Sequence, residues 1–187
     1  MKLQFEHNLD YQLAAIDAVC DLFSGQEVCR TEFTVTAPRS VYLGEGTQSA
    51  LPGMSGDGVQ LGLGLAESDL GIGNRLQLDS QDLLANLNKV QLRHGLKPSD
   101  SLTSRDFTVE METGTGKTYV YLRTIFELNK RYGFTKFVIV VPSVAIKEGV
   151  YKSLQIMAPH FRSLYSGQPF EYFLYDSAKL NQVRNFA

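Results

Sequence analysis

Residues 113–118 read Thr-Gly-Thr-Gly-Lys-Thr, and these residue types can hold a polyphosphate. Glycines at 114 and 116 let the backbone turn tightly, so that successive N–H groups point at phosphate oxygens. Lys117 offers a cation to the β- and γ-phosphates, and Thr118 offers a hydroxyl to Mg²⁺. The sequence therefore predicts a site for a polyphosphate and Mg²⁺ in a loop that comprises Thr113, Gly114, Thr115, Gly116, Lys117 and Thr118.

The sequence around this loop agrees with a phosphate-binding function. An apolar run, 107–111, predicts a strand that leads into the loop, and 119–131 predicts a helix whose positive N-terminus faces the same phosphates. The full loop pattern begins with a glycine five positions before Gly116, and Met111 stands there instead. A glycine-rich turn that happens to carry a lysine is the alternative, and the strand–loop–helix context disfavours it.

Periodicity places the other elements around this loop. Apolar runs at 107–111, 137–141 and 170–175 predict three strands. Amphipathic spacing predicts four helices, at 9–23, 80–94, 118–131 and 144–157. Since strands alternate with helices, we expect an α/β fold with an open, mostly parallel sheet and flanking helices. We expect Asn8 or Asp10 to cap the first helix and Asp79 or Ser80 to cap the second.

A glycine-rich stretch interrupts this pattern. Nine of the 16 glycines lie between positions 44 and 73, after a predicted short hairpin at 33–43. We interpret 28–78 as an insertion, which leaves a helical segment at 1–27 and the phosphate-loop domain at 79–187.

Composition narrows the class of protein. Hydrophobic residues make up 43% and charged residues 20%, as in a globular protein, and the net charge of −2 gives no overall attraction to nucleic acid. The sequence lacks a signal peptide and an apolar run long enough for a membrane span, so we expect a cytoplasmic protein without a membrane partner. The two cysteines, Cys20 and Cys29, predict reduced thiols rather than a disulfide framework.

Two further segments carry groups able to bind a ligand. Gln12, on the first helix, has an amide that can donate to and accept from the adenine edge. Pro142, Ser143 and Lys147 follow the second predicted strand, where a hydroxyl, a cation and helix-start amides can hold a nucleic-acid phosphate. Taken singly, a solvated glutamine and an ordinary strand-to-helix connection are the better explanations.

Taken in order, the three signals resemble the start of a superfamily 2 helicase motor. They are Tyr-Gln-x-x-Ala-Ile at 11–16, Glu-Thr-Gly-Thr-Gly-Lys-Thr at 112–118, and Val-Pro-Ser-x-Ala-Ile-Lys-Glu-Gly at 141–149. More narrowly, they resemble the Res subunit of type III restriction enzymes. The resemblance implies a partial RecA-like P-loop lobe in which Gln12 reads adenine and 113–118 hold the triphosphate. It also implies that Pro142, Ser143 and Lys147 contact DNA.

The resemblance implies an ATP-dependent DNA translocase or helicase subunit of a restriction endonuclease. Its partners would be double-stranded DNA and a modification methyltransferase subunit, and Lys117 and Thr118 would serve catalysis. The motor's acidic pair is missing here, since Asp176 is followed by Ser177 where Glu is expected. We therefore interpret 170–175 as a plain strand and expect the chain to be an amino-terminal part of a longer protein, inactive by itself. A non-catalytic nucleotide-binding remnant and a small P-loop kinase remain the alternatives.

Overall fold

Helices account for the regular structure in the described part of the chain. The computed structural model describes residues 5–28 and 74–176. Within these ranges the chain forms α1 (Asp10–Cys20), a 3₁₀ turn (Asp21–Phe23), α2 (Ser80–Arg93), α3 (Lys117–Tyr132) and α4 (Val144–Leu164). These helices confirm all four helical predictions, with shifted ends. None of the helices in these ranges is long and apolar enough to cross a membrane.

The start of α2 follows the predicted capping chemistry, and the start of α1 does not. The Asp79 carboxylate accepts from the backbone N–H groups of Gln81 and Asp82, each at 2.8 Å. This arrangement satisfies donors that the helix itself cannot pair. Leu9 is the N-cap residue of α1 and makes no side-chain cap hydrogen bond, so the predicted caps at Asn8 and Asp10 were wrong. Its backbone carbonyl accepts from the N–H groups of Gln12 and Leu13, at 2.9 Å and 3.0 Å.

The core forms where α3 packs against α1 and α4. One stripe of α3, with Val120 and Leu128, meets the buried face of α1 at Ile16 and Cys20. A second stripe, spaced three and four residues apart, meets α4 and comprises Tyr119, Leu122 and Phe126. Since the phosphate loop leads directly into α3, this double packing fixes where that helix begins.

Helix α4 extends seven residues beyond its predicted end at Met157. Pro159 lies inside it and donates no backbone hydrogen bond, which by itself weakens a helix by about 3 kcal/mol. Phe161, fully buried, stacks on Phe126 with ring centroids 4.8 Å apart. Burying such a ring contributes roughly 1.5–3 kcal/mol, so aromatic packing offsets the proline. Periodicity alone does not reveal this compensation.

The predicted open parallel sheet was wrong for the described residues. No residue in 5–28 or 74–176 lies in a β-strand, and 107–111, 137–141 and 170–175 are irregular. The side chains of Val138 and Val140 are 74% and 87% exposed rather than buried between helices. Strand propensity reflects packing in a paired, half-buried sheet rather than an independent backbone preference. Within 5–28 and 74–176 these apolar runs have no paired strand, so the sheet of the predicted RecA-like lobe is not formed there.

Polar contacts near the C-terminal end of α3 link α1, α3 and the end of α4. Arg131 reaches from α3 to Asp17 of α1, with 2.6 Å between Nη2 and Oδ1, and to Glu127 within its own helix at 3.1 Å. Tyr165, just after α4, donates to the other oxygen of Glu127 at 2.7 Å. Burial and the Glu127 carboxylate both raise the pKa of the Tyr165 hydroxyl, so it stays a donor. Together these contacts tie α1, α3 and α4.

A second cluster holds residues 5–7 against α3 and α4. The Tyr119 hydroxyl and the His160 Nε2 lie 2.9 Å apart, and Phe5 packs beside both rings. Arg123, buried in α3, donates to the backbone carbonyl of His7. Burial, aided by the nearby His7 and Arg123, lowers the pKa of His160 below its ordinary value, so the neutral ring is favoured.

The ends of the predicted insertion are joined by one buried amide. Gln26 Nε2 donates to the Arg75 carbonyl at 3.2 Å, and its Oε1 accepts from the Gln77 N–H at 2.9 Å. The predicted hairpin and nearly all of 28–78 lie outside the described residues, as do Cys29 and the ends of the chain. The three domain limits therefore stay predictions.

Candidate functional site

The phosphate-loop sequence forms a tight turn at the start of α3. Gly116 directly precedes the helix with φ of 83°, and Gly114 has φ of 85°. Both values lie in the left-handed region, which residues other than glycine rarely adopt. The helix begins at Lys117, with Thr118 half-buried in its first turn. The structure thus brings Thr113 to Thr118 together around the N-terminus of a 16-residue helix, where backbone N–H groups favour an anion.

The Glu112 carbonyl organises the interior of this loop. It accepts from the Thr115 hydroxyl at 2.7 Å and from the Lys117 ammonium at 2.9 Å. Lys117 is exposed, so its charge is folded back on the loop without being buried. The sequence does not reveal this carbonyl contact, because any residue type at position 112 supplies the same oxygen.

Gln12 contacts the loop from α1. Its Nε2 donates to the Thr115 carbonyl at 2.9 Å, across 103 positions of sequence. The side chain is only 6% exposed, and its Oε1 has no hydrogen-bond partner. The structure therefore places the predicted adenine-reading residue against the phosphate loop itself.

An open cavity of about 1280 Å³ lies along the loop. Its walls come from α1, α2 and residues 106–115, including Thr113, Gly114 and Thr115. Tyr11 lines it with a half-exposed ring, beside the small side chains of Ala14 and Ala18. The volume exceeds the range of about 300–1000 Å³ that is usual for small-molecule sites, so the cavity is large enough for a nucleotide.

The predicted nucleic-acid segment begins α4. Ser143 caps that helix, its Oγ accepting from the Ile146 N–H at 3.3 Å. Pro142 is exposed and Lys147 is half-buried. A smaller groove of about 580 Å³, between α3, α4 and residues 137–141, is lined by both Thr118 and Ile146. The groove therefore places the predicted Mg²⁺ ligand and the start of α4 on one surface.

The acidic partner of the site is not assigned by the structure. Asp176 is exposed, at the end of a segment that is not the plain strand we predicted. No group of three or more acidic, histidine or cysteine side chains suited to a metal ion occurs within 5–28 and 74–176. Among these residues Thr118 remains the proposed Mg²⁺ ligand on the basis of its loop position.

Comparison with known proteins identifies the family. Residues 8–170 match the family described as type III restriction enzyme, Res subunit. The chain is 34% identical over 165 residues to the type III restriction-modification enzyme EcoP15I Res subunit of Escherichia coli, covering 86% of this chain and 14% of that protein. It is 43% identical over 95 residues to the EcoPI Res subunit of Escherichia phage P1, covering 48% of this chain and 10% of that protein.

A third relative supports the same assignment. The chain is 49% identical over 65 residues to the StyLTI Res subunit of Salmonella typhimurium, covering 34% of this chain and 7% of that protein. The chain thus spans at most 14% of the length of these three relatives. Because the family match extends from the start of α1 to beyond α4, the chain belongs to the family of type III restriction enzyme Res subunits.

Proposed function

We propose that this chain binds the triphosphate of ATP, with Mg²⁺, as part of a helicase-like Res subunit that moves along DNA. The observation that carries the proposal is the loop before α3. Two left-handed glycines and an exposed lysine surround the N-terminus of a helix packed on both α1 and α4. Membership in the Res family supports the same function.

The loop fits a phosphate in its present form. A side-chain atom added at Gly114 would meet nothing within 4 Å, so the backbone there has open space for an anion to approach. Among the described residues, the partner of the Lys117 ammonium is the neutral Glu112 carbonyl at 2.9 Å, and a phosphate oxygen is a stronger, charge-assisted acceptor. We expect Lys117 to exchange the Glu112 carbonyl for phosphate. Thr118, in the first turn, would offer its hydroxyl to Mg²⁺.

For the chain by itself we propose binding without appreciable turnover. Bound Mg²⁺–ATP supplies a phosphoryl group whose transfer to water can drive movement along DNA. Lys117 and Thr118 would stabilise charge on that group, while hydrolysis also needs an acidic residue and an arginine directed at it. Asp176 is followed by Ser177 rather than Glu, and within the described residues no group of three or more acidic, histidine or cysteine side chains suited to a metal ion occurs. An arginine of this kind accelerates transfer by about 10³–10⁵, so we expect background ATPase rates.

The contact with double-stranded DNA is proposed at the start of α4. Pro142 and Ser143 lead into the helix, and Lys147 provides a positive charge one turn further on. A DNA phosphate near the helix N-terminus would be favoured by both the helix dipole and this charge. The modification methyltransferase subunit is proposed as the partner in the full-length enzyme, by family alone.

Titration calorimetry with Mg²⁺–ATP tests the phosphate site. We expect Lys117→Ala to weaken ATP binding about 10–100-fold, since a charge-assisted hydrogen bond contributes roughly 1.5–3 kcal/mol. Lys117 is exposed, so the thermal unfolding midpoint should not change. Lys130→Ala, an exposed lysine in the last turn of the same helix, is the control and should bind normally. Equal ATP affinity in Lys117→Ala and the parent would refute the proposal.

A further inference from the structure

Gln12 contacts the phosphate loop at Thr115, which lies 103 positions further along the sequence. Its Nε2 donates to the carbonyl of Thr115, the residue between the two left-handed glycines. That residue also donates its hydroxyl to the Glu112 carbonyl at 2.7 Å. Two hydrogen bonds of Thr115, one from its carbonyl and one from its hydroxyl, therefore fix the middle of the loop.

The same amide group also fills the space beside Gly116. A Cβ built at Gly116 would lie 2.7 Å from Gln12 Nε2, closer than real Cβ contacts. Gly114 has nearly the same φ and meets nothing within 4 Å. The close contact is thus specific to the glycine that precedes α3, and the Gln12 side chain packs directly on the backbone there.

The other end of the Gln12 amide is unpaired. Its Oε1 is buried and accepts no hydrogen bond, an arrangement that usually destabilises a fold by about 1–3 kcal/mol. Buried polar groups in folded proteins are normally paired, so Gln12 is kept in this place at a cost in stability while its other end holds the loop. With the side chain 6% exposed and the amide turned to the loop, a nucleobase has little of Gln12 to contact.

We infer that Gln12 is a positioning residue for the phosphate loop, acting on bound phosphate through Thr115 and Gly116 rather than on the base. The expected effect of Gln12 on ligand affinity rests on the proposed function. Its expected effect on the loop without ligand does not. Removing the amide should release the Thr115 carbonyl and loosen the loop, whichever base the ligand carries.

Two variants and two ligands test this role. Gln12→Met keeps the length of the side chain and removes its polar atoms, and Gln12→Asn keeps the amide one carbon short of the Thr115 carbonyl. Calorimetry is done with Mg²⁺–ATP and with inorganic tripolyphosphate, which has no base. We expect both variants to bind both ligands up to about tenfold more weakly, to equal extents, as one lost hydrogen bond predicts. Gln155→Met, exposed on α4, is the control and should bind like the parent.

The outcomes separate the two hypotheses. Weaker ATP binding with unchanged tripolyphosphate binding would assign Gln12 to the base and overturn the inference. If neither ligand binds the parent, or Lys117→Ala binds both normally, the proposed function fails instead. In that case amide hydrogen exchange of residues 112–118 without ligand decides: faster exchange in Gln12→Met than in Gln155→Met supports the positioning role. Equal exchange refutes it.

Discussion

The two loop glycines allow a matched test of why position 116 is glycine. Gly114→Ala and Gly116→Ala place a methyl group at nearly identical left-handed backbone, with φ of 85° and 83°. That conformation costs a residue with a side chain roughly 1–2 kcal/mol in either case. Only at Gly116 would the new Cβ also lie 2.7 Å from Gln12 Nε2. Since Nε2 is the far end of a flexible side chain, Gln12 can move aside, but it then loses its hydrogen bond to the Thr115 carbonyl, which costs roughly 1 kcal/mol more.

Urea unfolding measures the two costs directly. We expect Gly116→Ala to lower the free energy of unfolding by roughly 1 kcal/mol more than Gly114→Ala does. In a Gln12→Ala background the clash is absent, so the difference between the two glycine variants should shrink to about 0.5 kcal/mol or less, the usual limit of additivity. Equal costs in the parent background, or a difference that persists without the glutamine side chain, would refute the proposed contact between Gln12 and the loop.

Two further predictions concern the polar clusters. Arg131→Met leaves Asp17 and Glu127 without their common partner, so it should lower the free energy of unfolding by about 1–2 kcal/mol. Arg93 belongs to an exposed ion pair, so Arg93→Met should lower the free energy of unfolding by less than about 1 kcal/mol. His160 has a pKa below its unfolded value of 6.5, so its contribution is complete above pH 6.5 and is lost as the pH falls below it. The loss of stability on acidification should therefore be smaller in His160→Asn and unchanged in the exposed control His94→Asn; equal pH profiles for the parent and His160→Asn would contradict it.

The local features of the candidate site could be predicted from the sequence. Glycines at 114 and 116 indicate left-handed turns, because few other residues adopt them, and the structure has both. The helix that follows is read from its 3.6-residue periodicity, which depends on the helix alone. Such signals concern neighbouring residues, so one sequence is enough to interpret them.

The features that the sequence did not predict depend on distant partners. The run at 137–141 has high strand propensity, but a strand forms only when another segment supplies the ladder of hydrogen bonds. The extension of α4 past Pro159 depends on the packing of Phe161 in the core, and the residues around Pro159 do not predict that packing. The Gln12 contact joins residues 103 positions apart, so only the folded chain reveals that its amide faces the loop.

The Gln26 amide has a mechanical consequence for the described part of the chain. By bonding to the backbone at Arg75 and Gln77, it holds the segment that follows α1 beside the segment that precedes α2. Asn86 of α2 adds to this link, since its amide donates to the carbonyls of Leu22 and Ser24 at 3.1 Å and 2.8 Å. Two amide side chains therefore act as a non-covalent crosslink between segments that the sequence connects only through residues 29–73.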